Sequence, residues 1–241
     1  MTFSDVMQRK AAVLFDVDGT LVDTKTMILR GLGESFSFYT GTCPSDDDLL
    51  AMMGIPLREQ MDYYGMDQRT TETNADRCSH TIDCYMKHRA TQTVFEGTAR
   101  AFALCGKHGL KTALVTSRNA REVQELLHDF PVFRTADAIV SSSDVAHPKP
   151  AADSALLACD RLGVQPDTAV FLGDSIFDLQ CANSAGVTAI AVTYGAGTLA
   201  SLQAHQPAWT FHQPEEVLAA FTDFLTPCEK QLEPKPVSTL K

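Results

Sequence analysis

Six short apolar, β-branched runs punctuate the chain, at Ala12 to Phe15, Thr112 to Val115, Ala138 to Val140, Thr168 to Leu172, Thr188 to Val192 and Ala208 to Phe211. From the second onward, helix-like segments separate them. Runs this short, apolar on both faces and alternating with helical patterns, predict a parallel sheet buried between two helix layers. The expected fold class is therefore α/β, a doubly wound parallel sheet of Rossmann-like form, whose ligands sit beyond the carboxyl ends of the strands. A chain of 241 residues with 44% hydrophobic content has the apolar surface to build such a core.

One interval breaks the alternation. Between Asp23 and Thr93 no clear strand is legible, and about 70 residues far exceed what a crossover helix needs. An inserted α-helical domain is the natural reading. The expected organisation is a catalytic core over residues 1–23 and 94–226, a helical insertion over 24–93 and a mobile C-terminal tail over 227–241, where prolines are frequent and apolar residues few. Within the insertion, Ser45 reads as the N-cap of a helix whose first turn holds Asp46, Asp47 and Asp48, a solvated helix terminus rather than a metal site. Pro56 suggests a further helix start.

Composition removes several function classes. The first residues carry no apolar stretch of the kind a signal peptide needs, and no apolar run approaches the roughly 20 residues of a membrane span. A cytoplasmic protein with no membrane partner is the default expectation. Seven cysteines without a CxxC pair indicate neither a disulfide framework nor a thiolate zinc site. A formal charge of -10 opposes nucleic acid binding. It leaves room for a small anionic substrate, because a metal and a few cationic groups reverse the field inside one cleft.

The strongest local signal is Asp16-Val17-Asp18-Gly19-Thr20, directly after the first strand-like run. Two carboxylates two positions apart converge on one site, and Gly19 lets the backbone turn and approach a ligand. A hard cation such as Mg²⁺ suits one or two such oxygens plus a substrate phosphate. An EF-hand beginning at Asp16 would need glycine at its sixth position and glutamate at its twelfth, where the chain has Leu21 and Met27. Three more polar groups follow later runs: Thr116 and Ser117 in LVTSRN, Lys149 in HPKP, and Asp174 with Asp178 in GDSIFD. Each alone has an ordinary structural explanation, Thr116 and Asp174 as helix N-caps, for example. Together, at one edge of one sheet, they match the needs of phosphoryl transfer: nucleophile, proton carrier, hydroxyl donor, cation and metal carboxylates.

The set DVDGT, LVTS, HPKP and GDSIFD resembles the four motifs of the haloacid dehalogenase superfamily, in that superfamily's order, and the insertion is similar to its small α-helical cap. The stretches MMGIPLREQM and VTYGAGTLASL are similar to its phosphoglycolate-phosphatase-like and pyrophosphatase-like members. The resemblance implies a Mg²⁺-dependent phosphatase of a small phosphorylated metabolite. It makes Asp16 the nucleophile, Asp18 the acid and base, Thr116 a binder of the transferring phosphoryl group and Lys149 its neutralising cation. Metal contacts are implied for Asp16, Asp18 through its backbone carbonyl, Asp174 and Asp178, the last through water unless it positions the lysine instead. Gly19, Thr20 and Ser117 are candidate substrate contacts in the core, and Arg58 is the candidate in the insertion. An acid at Asp18 favours phosphate esters over the dehalogenase and phosphonatase branches, which lack it.

Other readings remain. Inside the superfamily these are a phosphomutase similar to β-phosphoglucomutase and an inorganic pyrophosphatase; outside it, a phospho-accepting signalling module, whose motif order differs. Gly195 to Ala200 fits GxGxxA after a strand, but too little chain follows for a dinucleotide fold, so a glycine-rich turn is expected. A monomer or a homodimer fits equally.

Overall fold

The structure, a computed structural model, describes residues 2–51, 57, 61–62 and 73–226. Arg58, Pro56 and the expected tail at 227–241 lie outside the described residues. Six strands, β1 (Ala12–Phe15), β4 (Lys111–Val115), β5 (Ala138–Val140), β6 (Ala169–Gly173), β7 (Thr188–Val192) and β8 (Trp209–Phe211), form one sheet in the order β5-β4-β1-β6-β7-β8. Every pairing in it is parallel. The six runs read from the sequence are these six strands, to within a residue at their ends.

Alternation along each strand divides the core into two layers. Val13, Phe15, Leu114, Val170, Leu172 and Ile190 share one apolar cluster with Phe102 and Phe221, from helices Glu96–Lys107 and Pro214–Leu225. Ala12, Leu14, Ala113, Val115, Phe171 and Ala189 face the other way, with Ala155 and Leu162 of helix Asp153–Leu162 and Leu179 and Ala182 of helix Ile176–Ala185. The fold class is thus a doubly wound α/β sheet. Strand order reverses direction at β1, so β4, β1 and β6 open a shared crevice at their carboxyl ends.

The interval without a legible strand is bracketed by a two-residue antiparallel ladder, β2 (Val22–Asp23) with β3 (Thr93–Val94). Between them helices Lys25–Thr40 and Asn74–Lys87 pack together. Ser35 and Thr81 share a buried hydrogen bond of 2.6 Å between them. Met27, Leu32, Phe36, Leu49, Met61 and Tyr85 make an apolar cluster separate from the two sheet layers. Ser45 does cap the helix Asp46–Ala51, its Oγ accepting from the Asp48 N–H at 3.2 Å. Arg89, in the turn that leaves the insertion, is anchored to Glu125 at 2.5 Å and Asp129 at 2.9 Å on the core helix Ala120–Asp129. Among the described residues, no helix is long and apolar enough to cross a membrane.

Candidate active site

Asp16, Thr116 and Asp174 each follow the last residue of β1, β4 and β6, three adjacent strands. Asp16 is fixed to the sheet by its N–H, which donates to the Leu172 carbonyl at 2.9 Å. The chain then turns sharply: the Leu21 and Val22 N–H groups both donate to the Val17 carbonyl at 2.9 Å, and Gly19 adopts φ +85°. That backbone region strains any residue with a Cβ, and a Cβ on Gly19 would in addition lie 2.2 Å from Asp174 Oδ2.

Lys149, from the loop after β5, is 1% exposed. Its ammonium donates to Asp16 Oδ1 and to Asp178 Oδ1, each at 2.6 Å. Burial pulls the lysine's pKa down, but the two carboxylates more than reverse this and hold it above its ordinary value. Asp16 moves the other way: burial raises its pKa first, and the charge of Asp178 adds to it, against the opposing pull of Lys149. Burial, then Asp178, likewise pushes Asp174 up to about 7.

Asp16, Asp174 and Asp178 bring one carboxylate oxygen each within 4.8 Å of one another, and all three are buried. Among the described residues no other acidic, His or Cys group is gathered this way. One lysine cannot offset three crowded carboxylates, so the donor set fits a hard divalent cation. Asp178 is already committed on both oxygens, Oδ1 to Lys149 and Oδ2 to the Ser175 hydroxyl at 2.6 Å and N–H at 3.0 Å. That capping box starts the helix Ile176–Ala185, so the N-cap is Ser175 and not Asp174. Asn119 has the same role for the helix after Thr116.

The glycine-rich turn after β7 has a definite task. The Ala196 N–H donates to Asp174 Oδ2 at 2.7 Å, the Gly197 N–H to the Asp174 carbonyl at 3.0 Å, and a Cβ on Gly195 would strike Asp174 Oδ2 at 2.2 Å. Among the described residues, one strand, β8, and two helices, Leu199–Gln203 and Pro214–Leu225, follow that turn. Thr20 is fully buried and its hydroxyl donates to Asp174 Oδ1 at 3.3 Å. Thr116 is buried, with Oγ1 accepting from the Arg118 N–H at 3.1 Å, and Ser117 is half-buried beside it. His147 is exposed and pairs with Asp153 at 3.1 Å, away from the cluster.

Arg118 is the residue that sequence reasoning missed. Its guanidinium forks the Asp18 carboxylate, Nε at 3.2 and 3.0 Å from the two oxygens and Nη2 at 2.8 Å from Oδ1, and Nη2 also donates to Gln92 Oε1 at 2.7 Å. Burial pushes the Asp18 carboxyl up, but the charge and hydrogen bonds of Arg118 prevail and hold it below the usual carboxylate range. The only sequence signal was its place in LVTSRN, two residues past Thr116.

The insertion reaches the same crevice, since Leu50 lines it together with Gly19, Lys25, Phe95, Tyr194 and Gly195. Comparison with known proteins agrees with this fold. The haloacid dehalogenase-like hydrolase family profile matches residues 13–192. Pyrophosphatase PpaX of Bacillus velezensis is 28% identical over 219 residues, covering 88% of this chain and 96% of its own. A protein of Dickeya dadantii named "Probable phosphatase IndB" is 30% identical over 218 residues, covering 88% and 93%. CbbY of Rhodobacter sphaeroides, solved in complex with phosphate, superposes with a TM-score of 0.77 at 23% identity, covering 88% of this chain and 99% of its own, and so shares the fold.

Proposed function

The chain belongs to the haloacid dehalogenase-like hydrolases, and from that premise we propose that it is a Mg²⁺-dependent phosphatase of a small phosphorylated metabolite, a phosphoglycolate-like phosphomonoester, working through a phosphorylated Asp16. The observation that carries this reading is the buried Lys149 ammonium held between Asp16 and Asp178 beside a third carboxylate, Asp174. A carboxylate attacking a phosphate dianion meets strong repulsion, and this arrangement prepares the site to offset it.

Asp16 Oδ attacks phosphorus, the bridging oxygen departs with a proton from Asp18, and Asp18 then takes a proton from the water that attacks the aspartyl phosphate. Arg118 favours the ionised form of Asp18, which serves water activation directly. Poor leaving groups are therefore limited by the first half-reaction. Thr116 donates to the transferring phosphoryl group, with Ser117 and the Gly19 backbone beside it. Lys149 neutralises that group and Asp16, and Asp178 holds Lys149 in place through the bonds described above. Asp16, Asp174 and the Asp18 backbone carbonyl would hold Mg²⁺, which supplies charge neutralisation at the phosphoryl oxygens when bound. Thr20 and the 195–197 turn keep Asp174 aimed at that position.

Residues 24–93 act as a lid over a core of residues 1–23 and 94–226, hinged at the β2–β3 ladder. Leu50 in the crevice and the anchoring of Arg89 support this assignment. An inorganic pyrophosphatase is the second reading, favoured by the name of the Bacillus relative. Phosphate release across phosphorylated short acids, sugar phosphates, nucleotides and pyrophosphate, with Mg²⁺ and with chelator, tests the proposal. Full activity in chelator, or no turnover of any phosphate compound, would contradict it.

A further inference from the structure

Asp174 is held by two arms that lie far apart in the chain. The Thr20 hydroxyl donates to Oδ1 from the turn after β1, and the Ala196 N–H donates to Oδ2 from the turn after β7. Burial, then the charge of Asp178, works against the ionised form of this carboxylate, so its direction depends on both arms. The Thr20 bond is the longer, at 3.3 Å, and a small retreat of its turn would break it.

Tyr194 joins the two arms. It directly precedes Gly195 in the second arm, and its phenol donates to the Thr20 carbonyl in the first, at 3.2 Å. That carbonyl can only accept, so it takes the phenol's single proton. The Thr98 hydroxyl, fully buried near the start of helix Glu96–Lys107, then donates to the phenol oxygen at 2.5 Å. The ring stands edge-on to Phe95, with centroids 4.8 Å apart, and the Phe95 N–H donates to the Leu21 carbonyl at 2.9 Å. Burial raises the phenol's pKa above its ordinary value and keeps it protonated as a donor. The side chain is thus fixed at its ring and at its hydroxyl, beside the segment where β3 returns the chain to the core.

We infer that Tyr194 is a positioning residue for the Mg²⁺ site: its hydroxyl holds the Thr20 turn against the 195–197 turn, so that Thr20 keeps Asp174 aimed at the metal. Without that hydroxyl the ring still packs on Phe95, but the Thr20 turn is released and Asp174 loses its Oδ1 partner. Partners one step behind a metal ligand change metal affinity by about 10- to 100-fold, and Tyr194, a bond further out, belongs at the lower end. This rests on the Mg²⁺-dependent phosphatase reading above.

The test reads Mg²⁺ affinity without turnover, from the rise of the melting temperature with Mg²⁺ concentration at about pH 8. It compares the wild type with Tyr194→Phe, Thr98→Val, Thr20→Val and the double variant Tyr194→Phe/Thr20→Val, and the melting temperature in chelator gives the structural cost of each change separately. Tyr194→Phe should weaken Mg²⁺ binding by about 10-fold. Thr98→Val leaves the phenol bonded to Thr20, so its Mg²⁺ affinity should stay within about twofold of the wild type although it loses a buried hydrogen bond and melts earlier. Thr20→Val removes the hold on Oδ1 and should also weaken binding by about 10-fold. Adding Tyr194→Phe to it should change nothing further, because both act through that one bond. An unchanged Mg²⁺ affinity in Tyr194→Phe or in Thr20→Val, an equal loss in Thr98→Val, or losses that multiply in the double variant would overturn the proposal. A wild type whose melting temperature does not respond to Mg²⁺ would instead remove the metal reading, and this inference with it.

Discussion

Lys149 and Asp16 stand 133 residues apart in the chain and 2.6 Å apart in space, joined where the carboxyl end of β1 meets the loop after β5. Taking an ammonium this far out of water costs several kcal/mol, and only the two carboxylates that receive it, Asp16 and Asp178, offset that cost. The three groups are therefore one interdependent unit, with negative charge in excess.

Replacing the lysine should break the unit in a specific way. Lys149→Met removes the cation and leaves Asp16 repelling an incoming phosphate, so kcat should fall by about 10²- to 10³-fold. Steady-state kinetics check this, with urea unfolding to confirm the fold. A variant within tenfold of the wild type would show that Lys149 is a structural ion-pair partner.

The crowded carboxylates predict a pH-dependent response to metal. Asp16 and Asp174 have folded-state pKa values raised above their unfolded ones, Asp174 to about 7. The metal-free folded protein thus binds more protons than the unfolded chain between the two values. The stability this supplies is complete below the unfolded pKa and lost as pH rises through the folded one. Mg²⁺ relieves the repulsion that ionisation creates, so its effect on the melting temperature should be larger at about pH 8 than at about pH 5. Scanning calorimetry with Mg²⁺ and with chelator measures the difference; equal shifts at both pH values would contradict the assignment of these carboxylates to a metal.

Gly195 offers a test that spares the nucleophile. Its added Cβ would lie 2.2 Å from Asp174 Oδ2 and 2.5 Å from Asp174 Cβ, so the turn must shift along with the carboxylate. In Gly195→Ala, with urea unfolding to confirm the fold, the Mg²⁺ concentration for half-maximal activity should rise by about 10- to 100-fold. An unchanged Mg²⁺ requirement would mean that Asp174 does not serve the metal.

Much of this was legible in the sequence because the signals were local or periodic. AVLF is apolar at every position and TAIAV at every position after its first, as strands buried on both faces must be. Asp16, Thr116 and Asp174 stood out because each directly follows such a run. The β2–β3 ladder was invisible, since two residues per strand leave no pattern to read. Arg118 escaped for a different reason. Its role depends on Asp18, 100 residues earlier, and on Gln92, in a turn whose docking is set by Arg89 on Glu125 and Asp129. None of those pairings has a spacing rule. The acidic triplet Asp46 to Asp48 shows the converse: a conspicuous run that proves to be a capped helix start.

Phosphorylation of Asp16 is the central step of the proposed mechanism, and rapid acid quench of a turnover mixture followed by mass spectrometry measures it directly. With nitrophenyl phosphate, whose leaving group needs little protonation, Asp18→Asn keeps the attacking carboxylate while losing the base for hydrolysis. Added phosphate should accumulate on Asp16 in that variant, and Asp16→Asn should show neither turnover nor phosphoprotein. Phosphate on a serine or histidine, or undiminished turnover by Asp16→Asn, would contradict the mechanism.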